Sequence, residues 1–204
     1  MAKLTLTTFV TLDGVMQAPG GSAEDTSGGF AHGGWSFPYA DPEFGQFMAG
    51  VFSRAGAFLL GRRTYQVFAA HWPQVTDAGH PIAEPLNRLP KHVASRTLRE
   101  LSWSGSALVR NVAPEVAQLK ERLEGELQVH GSAGLVQTLL ANDLVDGINL
   151  LVFPVVLGSG KRLFGTGVVP AAFELSESRA TGTGVVISVY RRAGPVRYGS
   201  FASG

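Results

Sequence analysis

Short apolar segments with the period of a β-strand alternate along this chain with longer segments that have the period of an α-helix. Residues 3–12 alternate polar and apolar side chains and are rich in Thr and Val, which predicts a strand with one buried face. Residues 57–60 form an apolar run that ends at Gly61, and a helical pattern follows over residues 62–70. Because parallel strands need a crossover connection, this alternation favours a largely parallel central sheet with helices on both faces.

The same patterns extend through the rest of the chain. Asp41 precedes a helical pattern as an N-cap, with Pro42 at the first helical position. Residues 172–179 and 185–192 alternate like an antiparallel pair joined by a turn at 181–184. The remaining predicted elements are strands over 91–95, 106–109, 126–130 and 148–152, and helices over 42–54, 114–123 and 131–141. The prediction is an α/β fold with a mixed, mostly parallel sheet and an antiparallel C-terminal hairpin.

The composition excludes several classes of function. The 204 residues include 17 Lys and Arg, 16 Asp and Glu and no Cys, so the formal net charge is +1. A nearly neutral chain lacks the basic field that nucleic acid binding usually requires, and a chain without Cys has neither disulfides nor cysteine-ligated metals. The five His show no pair at metal-ligand spacing, so we expect no metal site.

The chain is expected to be one domain over residues 1–193, followed by a tail over 194–204 that is small and polar enough to fray. No apolar run approaches the ~20 residues needed to cross a bilayer, and the N-terminus lacks a signal-peptide pattern. We therefore expect a cytoplasmic protein that does not bind membranes.

Two strand-to-helix junctions place glycine and small polar residues at the start of a helix, at residues 61–65 (GRRTY) and 131–134 (GSAG). Unpaired backbone N–H groups and the helix dipole attract phosphate at such a position, and Arg62 adds a guanidinium group for bidentate contacts. Each junction alone has an ordinary alternative, since glycine often ends a strand. Together they make a bound nucleotide as plausible as that alternative.

Other features leave alternatives open. The glycine-rich segment 14–34 is either a lid over a site or surface, and Trp35 after it either packs in the core or stacks on a ligand ring. Asp13 lies in a tight turn, Asp41 at a helix cap, and His130 beside the second junction is a packed histidine or a candidate for proton transfer. Residues 158–161 (GSGK) are not a P-loop, because Arg162 stands where Ser or Thr would bind magnesium.

Five motifs, read in order, resemble those of one family. They are residues 11–14 (TLDG), 61–65 (GRRTY), 131–134 (GSAG), 144–146 (LVD) and 153–164 (FPVVLGSGKRLF). The family is the dihydrofolate-reductase-like family that includes the C-terminal reductase domain of the bifunctional riboflavin-biosynthesis deaminase/reductase, and the likeness spans residues 3–192. It implies a three-layer α/β fold, a homodimer, and NADPH bound across the C-terminal ends of the central strands.

The resemblance also implies roles in cofactor binding. Arg62 would select NADPH over NADH through the 2′-phosphate. The other residues matched to cofactor contacts are Gly61 and Thr64 at the adenosine phosphates, Ser95 and Arg96 on the adenine side, Gly131, Ser132, Ala133 and Gly134 at the pyrophosphate, and Val10 and Trp35 at the nicotinamide.

On the substrate side the resemblance points to Asp13, Gly14, Phe153 and Pro154, with Asp13 and Asp41 as candidate catalytic acids. One departure concerns this side: the riboflavin-pathway reductases carry a glutamate where this chain has Val129. The implied function is NADPH-dependent hydride transfer to a heterocyclic or carbonyl-like small molecule, with 5-amino-6-(5-phosphoribosylamino)uracil as the leading substrate. The alternatives are a non-catalytic nucleotide-binding protein on the same fold and a dihydrofolate or pterin reductase.

Overall fold

The computed structural model of the protein describes residues 1–166 and 168–201. Its strands are β1 (Lys3–Thr11), β2 (Ala55–Gly61), β3 (Lys91–Ala94), β4 (Ser106–Val109), β5 (Glu126–Val129), β6 (Gly147–Phe153), β7 (Ala172–Ala180) and β8 (Val186–Gly194). Its helices are α1 (Pro42–Ser53), α2 (Arg62–His71), α3 (Ala83–Arg88), α4 (Val112–Arg122) and α5 (Ala133–Ala141).

The strands form one mixed sheet in the order β4-β3-β2-β5-β1-β6-β8-β7. Neighbours from β4 to β6 pair in parallel, whereas β8 pairs antiparallel with both β6 and β7. This confirms the predicted α/β fold and its antiparallel hairpin. The parallel strands all end at one border of the sheet, which we call the C-terminal edge, and every strand-to-helix junction lies there.

Alternate residues of the strands feed two separate cores, as a period of two requires. In β2, Ala57 and Leu59 pack with α4 and α5 on one face, while Phe58 and Leu60 pack with α1, α2 and α3 on the other. All four side chains are fully buried. The result is a sheet between two helical layers, which confirms the three-layer architecture.

Most predicted elements shift by one or two residues at their ends, and two differences concern helices near the glycine junctions or between them and β3. The helix α3 was not predicted, because it is only six residues long and contains Pro85. The helix α5 begins at Ala133 and not at Gly131, since Gly131 has a φ of 116°, outside the helical region.

After Gly194, residues 195–201 form neither helix nor strand, and residues 202–204 of the expected tail lie outside the described residues. Over the described ranges, each helix is too short or too polar to pass through a lipid bilayer.

Candidate functional site

The two glycine junctions lie side by side at the C-terminal edge. The strands β2 and β5 are parallel neighbours with Leu59 paired to Val129, so α2 and α5 both start at this point. The Gly61 N–H donates to the Gly131 carbonyl oxygen over 3.1 Å. A Cβ atom on Gly61 would lie 2.7 Å from the Ser132 nitrogen, so glycine is needed for the junctions to approach this closely.

Both helix N-termini at this place are free of side-chain caps. The N-caps of α2 and α5 are Gly61 and Ser132, and within residues 1–166 and 168–201 no side chain accepts a capping hydrogen bond at either start. Gly134 in the first turn of α5 is exposed. Uncapped N–H groups and two helix dipoles therefore meet at one point, which is an arrangement that fits the phosphate groups of a nucleotide.

Arginine side chains flank the first junction. Arg62 and Arg96 are both exposed, one at the start of α2 and the other just beyond β3. The Arg62 Nη1 donates to the Thr97 hydroxyl over 2.7 Å. The buried Ser95 accepts hydrogen bonds from the N–H groups of Thr97 and Leu98, so the segment between β3 and β4 has a defined turn. The structure thus brings Arg62, Ser95 and Arg96 to the same side of the junctions.

The neighbouring residues of α2 have different positions. Thr64 faces the second junction, since a Cβ atom on Gly131 would lie 2.9 Å from its Oγ1. Arg63 points toward the glycine-rich segment, where it donates to the Glu24 carbonyl and its Nε lies 3.6 Å from Asp25.

Asp13 is engaged by the protein itself. Its carboxylate accepts hydrogen bonds from the Thr11 hydroxyl and from the N–H groups of Leu157 and Gly158, and lies 3.5 Å from the Arg162 guanidinium. The Thr11 bond, helped by the backbone donors, lowers the pKa of Asp13 to about 2. The Asp13 carboxylate is therefore ionised at neutral pH and hydrogen-bonded by the protein itself. Its role as an acid stays a prediction. Gly14 beside it has a φ of 80°, which completes the tight turn.

Asp41 is likewise occupied. It caps α1 by accepting from the Phe44 N–H over 2.8 Å, and it accepts from the N–H and the hydroxyl of Thr183 in the turn between β7 and β8. These bonds, the one from Phe44 foremost, lower the pKa of Asp41 to about 2. The geometry gives Asp41 a capping role, as one interpretation of the sequence predicted, and does not support its role as a catalytic acid.

Three apolar residues expected at the ligand are instead packed in the cores. Phe153 is fully buried, and its ring meets that of Trp35 at 5.3 Å between centroids. The Trp35 Nε1 donates to the Gln17 carbonyl, so this indole is a core side chain and not a stacking surface. Val10 is also buried, on the opposite face of the sheet. Of the residues expected there, Pro154 is exposed.

His130 directly follows β5, beside the second junction and on the face of the sheet that α1 covers. Its ring stacks on Phe52 with centroids 4.6 Å apart, and its Nε2 lies 3.3 Å from the Gln128 Oε1. Burial lowers the pKa of His130 to about 4, so the imidazole is neutral at pH 7. The adjacent Val129 points into the other face and is fully buried in the apolar core there.

The glycine-rich segment 14–34 is held in place by an ion-pair network. The Asp25 carboxylate binds Lys161 over 2.6 Å and also lies near Arg63, while Ser27 accepts a hydrogen bond from Lys161. Between this segment and residues 159–161 there is a cleft of about 310 Å³. Asp25 was not singled out from the sequence, because its partners are 38 and 136 residues away in the chain.

Arg110 is a second residue that the sequence patterns did not single out. It follows β4 directly, so its place at the C-terminal edge follows from the topology once that strand is recognised. Its two Nη atoms donate to the carbonyl oxygens of Ser95 and Leu98. As for metals, the described ranges contain no group of three His, Asp or Glu side chains placed to hold an ion.

One eight-stranded mixed sheet of this order between two helical layers is a dihydrofolate-reductase-like α/β fold. The chain belongs to the RibD C-terminal domain family, whose model matches residues 2–187.

Known proteins similar to the chain agree with this assignment. The chain is 26% identical over 190 residues to the uncharacterized protein YyaP of Bacillus subtilis, covering 92% of this chain and 94% of that protein. A putative riboflavin biosynthesis protein from Shewanella sp. PV-4 has a similar structure, with a TM-score of 0.69, 22% identity and coverage of 94% and 99% of the two chains. Dihydrofolate reductase from Enterococcus faecalis, in complex with NADP(H), has a TM-score of 0.62 at 13% identity, with coverage of 94% and 96%.

Proposed function

We propose that the protein is an NADPH-dependent reductase that transfers hydride to a heterocyclic or carbonyl-like small molecule. The observation that carries this proposal is the pair of uncapped helix starts, α2 and α5, that meet beside Arg62. The family and the fold shared with a dihydrofolate reductase that binds NADP(H) support the choice of cofactor.

The residues present fit this cofactor. The first-turn N–H groups of α2 and α5 would bind its phosphates, and Arg62 with Arg96 would bind the phosphate on the 2′ carbon of the adenosine ribose. Gly61 and Gly131 keep the two helix starts close enough to act together. When bound, NADPH supplies the hydride from its nicotinamide ring.

The state of the Asp13 and Asp41 carboxylates bears on the source of the proton that accompanies hydride transfer. Both candidate carboxylates, Asp13 and Asp41, accept hydrogen bonds from the protein itself, and these bonds lower their pKa values to about 2. We therefore propose water as the source of a proton that the substrate needs. The chain contributes to the rate by orienting its ligands and excluding water.

The leading candidate substrate is 5-amino-6-(5-phosphoribosylamino)uracil, which follows from the family. Val129 argues for a changed contact, because the family's glutamate position is filled here by a fully buried apolar side chain. The same observation favours a second candidate function, a nucleotide-binding protein without reductase activity. A dihydrofolate or pterin substrate fits less well, since Asp41 is committed to capping α1.

The first experiment is the melting temperature of the purified protein with NADPH, with NADH and without ligand. A ligand at ~100 times its Kd stabilises the native state by about 2.7 kcal/mol, so binding is readily seen. We expect a rise with NADPH. Arg62→Ala should reduce the affinity for NADPH far more than that for NADH, whereas Arg122→Ala, an exposed arginine at the end of α4, should change neither. Equal losses for the two cofactors in Arg62→Ala would refute the role of Arg62.

Turnover separates the two candidate functions. Loss of NADPH absorbance is followed with the pyrimidine substrate, with dihydrofolate and other pterins, and with simple carbonyl compounds. Oxidation of NADPH with the pyrimidine identifies the reductase. Binding of NADPH without turnover of any of these compounds supports the non-catalytic protein.

The family resemblance further suggests a homodimer in the cytoplasm, and we include both in the proposal. Light scattering of the purified protein tests the first point, with an expected mass of twice 21.6 kDa. A mass of one chain at all concentrations would contradict it.

A further inference from the structure

We infer that Thr97 and Arg110 are positioning residues that set the preference for NADPH over NADH by holding Arg62 in its binding position. The inference rests on the proposed function, because it concerns the same cofactor site. It adds two residues that do not themselves need to touch the cofactor.

A hydrogen bond to Thr97 orders the Arg62 side chain. An exposed arginine has many rotamers, and ordering it when a ligand binds costs conformational entropy. Here the Arg62 Nη1 already donates to the Thr97 Oγ1 over 2.7 Å. This bond uses one of the five guanidinium N–H groups and leaves the others for an anion.

Thr97 is in turn held in place by the hydrogen bonds of the turn at residues 95–98. The Ser95 hydroxyl accepts from the N–H groups of Thr97 and Leu98, at 3.3 and 3.0 Å. Arg110 then closes the turn from the other side: its Nη1 donates to the Ser95 carbonyl over 2.7 Å and its Nη2 to the Leu98 carbonyl over 2.6 Å. A planar guanidinium suits this pair of acceptors, and a lysine could not make both bonds in the same geometry.

The base of Arg110 is fixed as well. The Glu115 carboxylate in the first turn of α4 accepts from the N–H groups of Arg110 and Asn111, at 3.0 and 2.6 Å. The chain of contacts from Glu115 through Arg110 and Thr97 to Arg62 therefore links the start of α4 to the start of α2.

The local positive charge favours an anionic ligand at this turn. Five other arginines of the protein form ion pairs with carboxylates: Arg54, Arg63, Arg162, Arg179 and Arg192. In the described part of the chain, Arg62, Arg96 and Arg110 have no carboxylate within ion-pair distance, and the same holds for Arg88, Arg99, Arg122, Arg191 and Arg197. What distinguishes the first three is their position around one turn, where their combined positive charge favours a doubly charged phosphate, which NADPH has on its 2′ carbon and NADH lacks.

The test uses Thr97→Val, which removes the acceptor of Arg62 while keeping the shape of the side chain, and Arg110→Lys, which keeps the charge. The matched controls are Thr76→Val and Arg122→Lys, both at exposed positions outside this turn. Binding of NADPH, NADH, 2′,5′-ADP and 5′-AMP is measured for each variant, and melting temperatures show that each variant is folded.

We expect Thr97→Val and Arg110→Lys to weaken NADPH and 2′,5′-ADP by about three- to tenfold, the effect of one hydrogen bond, and to leave NADH and 5′-AMP within about twofold of the parent protein. In an Arg62→Ala background, Thr97→Val should have no further effect, because its action passes through Arg62.

Two outcomes would overturn the inference while leaving the proposed function intact: equal weakening of NADPH and NADH, or an undiminished effect of Thr97→Val in the Arg62→Ala background. Failure of the unaltered protein to bind NADPH or 2′,5′-ADP at all would instead overturn the proposed function, and this inference with it.

Discussion

The two halves of the C-terminal edge differ in whether side chains accept hydrogen bonds from their free backbone N–H groups. In the half formed by β2, β3 and β5, the starts of α2 and α5 have no side-chain cap anywhere in the described chain. In the half formed by β1 and β6, the carboxylates of Asp13 and Asp41 accept hydrogen bonds from backbone N–H groups. The first half is therefore open to an external anion, while the second is closed by carboxylates and by the aromatic core beneath it. A helix start whose N–H groups have no side-chain acceptor is a position that favours an anion.

The largest effect expected in the closed half comes from Phe153→Ala. Because the ring is fully buried among other aromatic rings, its removal should cost about 3–5 kcal/mol in the free energy of unfolding, measured with urea. The affinity of the folded variant for NADPH should be unchanged. Phe164→Ala, at a side chain that is 55% exposed, is the control and should have a small effect. A loss of NADPH affinity in Phe153→Ala would contradict the view that only the open half binds the cofactor.

The open half is tested by Gly61→Ala. The added methyl group would press against Ser132 and push the two helix starts apart, so we expect a loss of about 1–3 kcal/mol of stability and of most of the NADPH affinity. Gly45→Ala in α1 is the control, since its Cβ atom meets nothing within 4 Å, and should be neutral or stabilising. Normal NADPH affinity in Gly61→Ala would show that the close approach of the junctions does not matter for binding.

His130 lies between the halves, and its titration makes stability depend on pH. Its pKa is lowered from 6.5 to about 4 in the folded protein, so the unfolded chain binds more protons between these two values. Stability should be full above about pH 6.5 and fall as the pH drops toward 4. His130→Phe keeps the stack on Phe52 and removes the titrating group, so its melting temperature should fall less over this range. An identical fall in both proteins would assign the pH dependence to other groups.

The smallest effect concerns the cap of α1. Asp41→Ala should lower the melting temperature at pH 7, because Phe44 and Thr183 lose their acceptor. The folded pKa of Asp41 is lowered from 3.8 to about 2, so its contribution is present above pH 4 and lost as the pH falls through 2. The difference between the variant and the parent should therefore close over this range. Asp77→Ala, in an exposed turn, is the control at pH 7.

The strands and the larger helices could be predicted from sequence because their signal is local periodicity. The alternation of residues 3–12 and the apolar run before Gly61 correspond to β1 and β2, and both glycine junctions begin helices at or within two residues of the predicted starts. That the junctions touch could not be predicted, since it depends on β5 being inserted between β2 and β1.

The site residues were harder to predict for two physical reasons. A strand's last apolar residue faces either the ligand or the core, and periodicity does not decide which, so Phe153 and Val10 were placed at the ligand although they are buried. Hydrogen bonds between distant residues leave no trace in a local pattern. The hydrogen bonds that Asp13 accepts from Leu157 and Gly158, 144 and 145 residues away, could therefore not be predicted from the sequence.

The place of β1 in the sheet has a consequence for how the protein is made. This strand is the first in the chain, yet its two neighbours are β5 and β6, which begin at Glu126 and Gly147. During synthesis β1 therefore has no strand to pair with until more than half of the chain has been made. Such non-local pairing slows folding and leaves apolar strands exposed in the meantime. The four Thr side chains of β1 make the unpaired strand less prone to aggregate than a fully apolar strand would be.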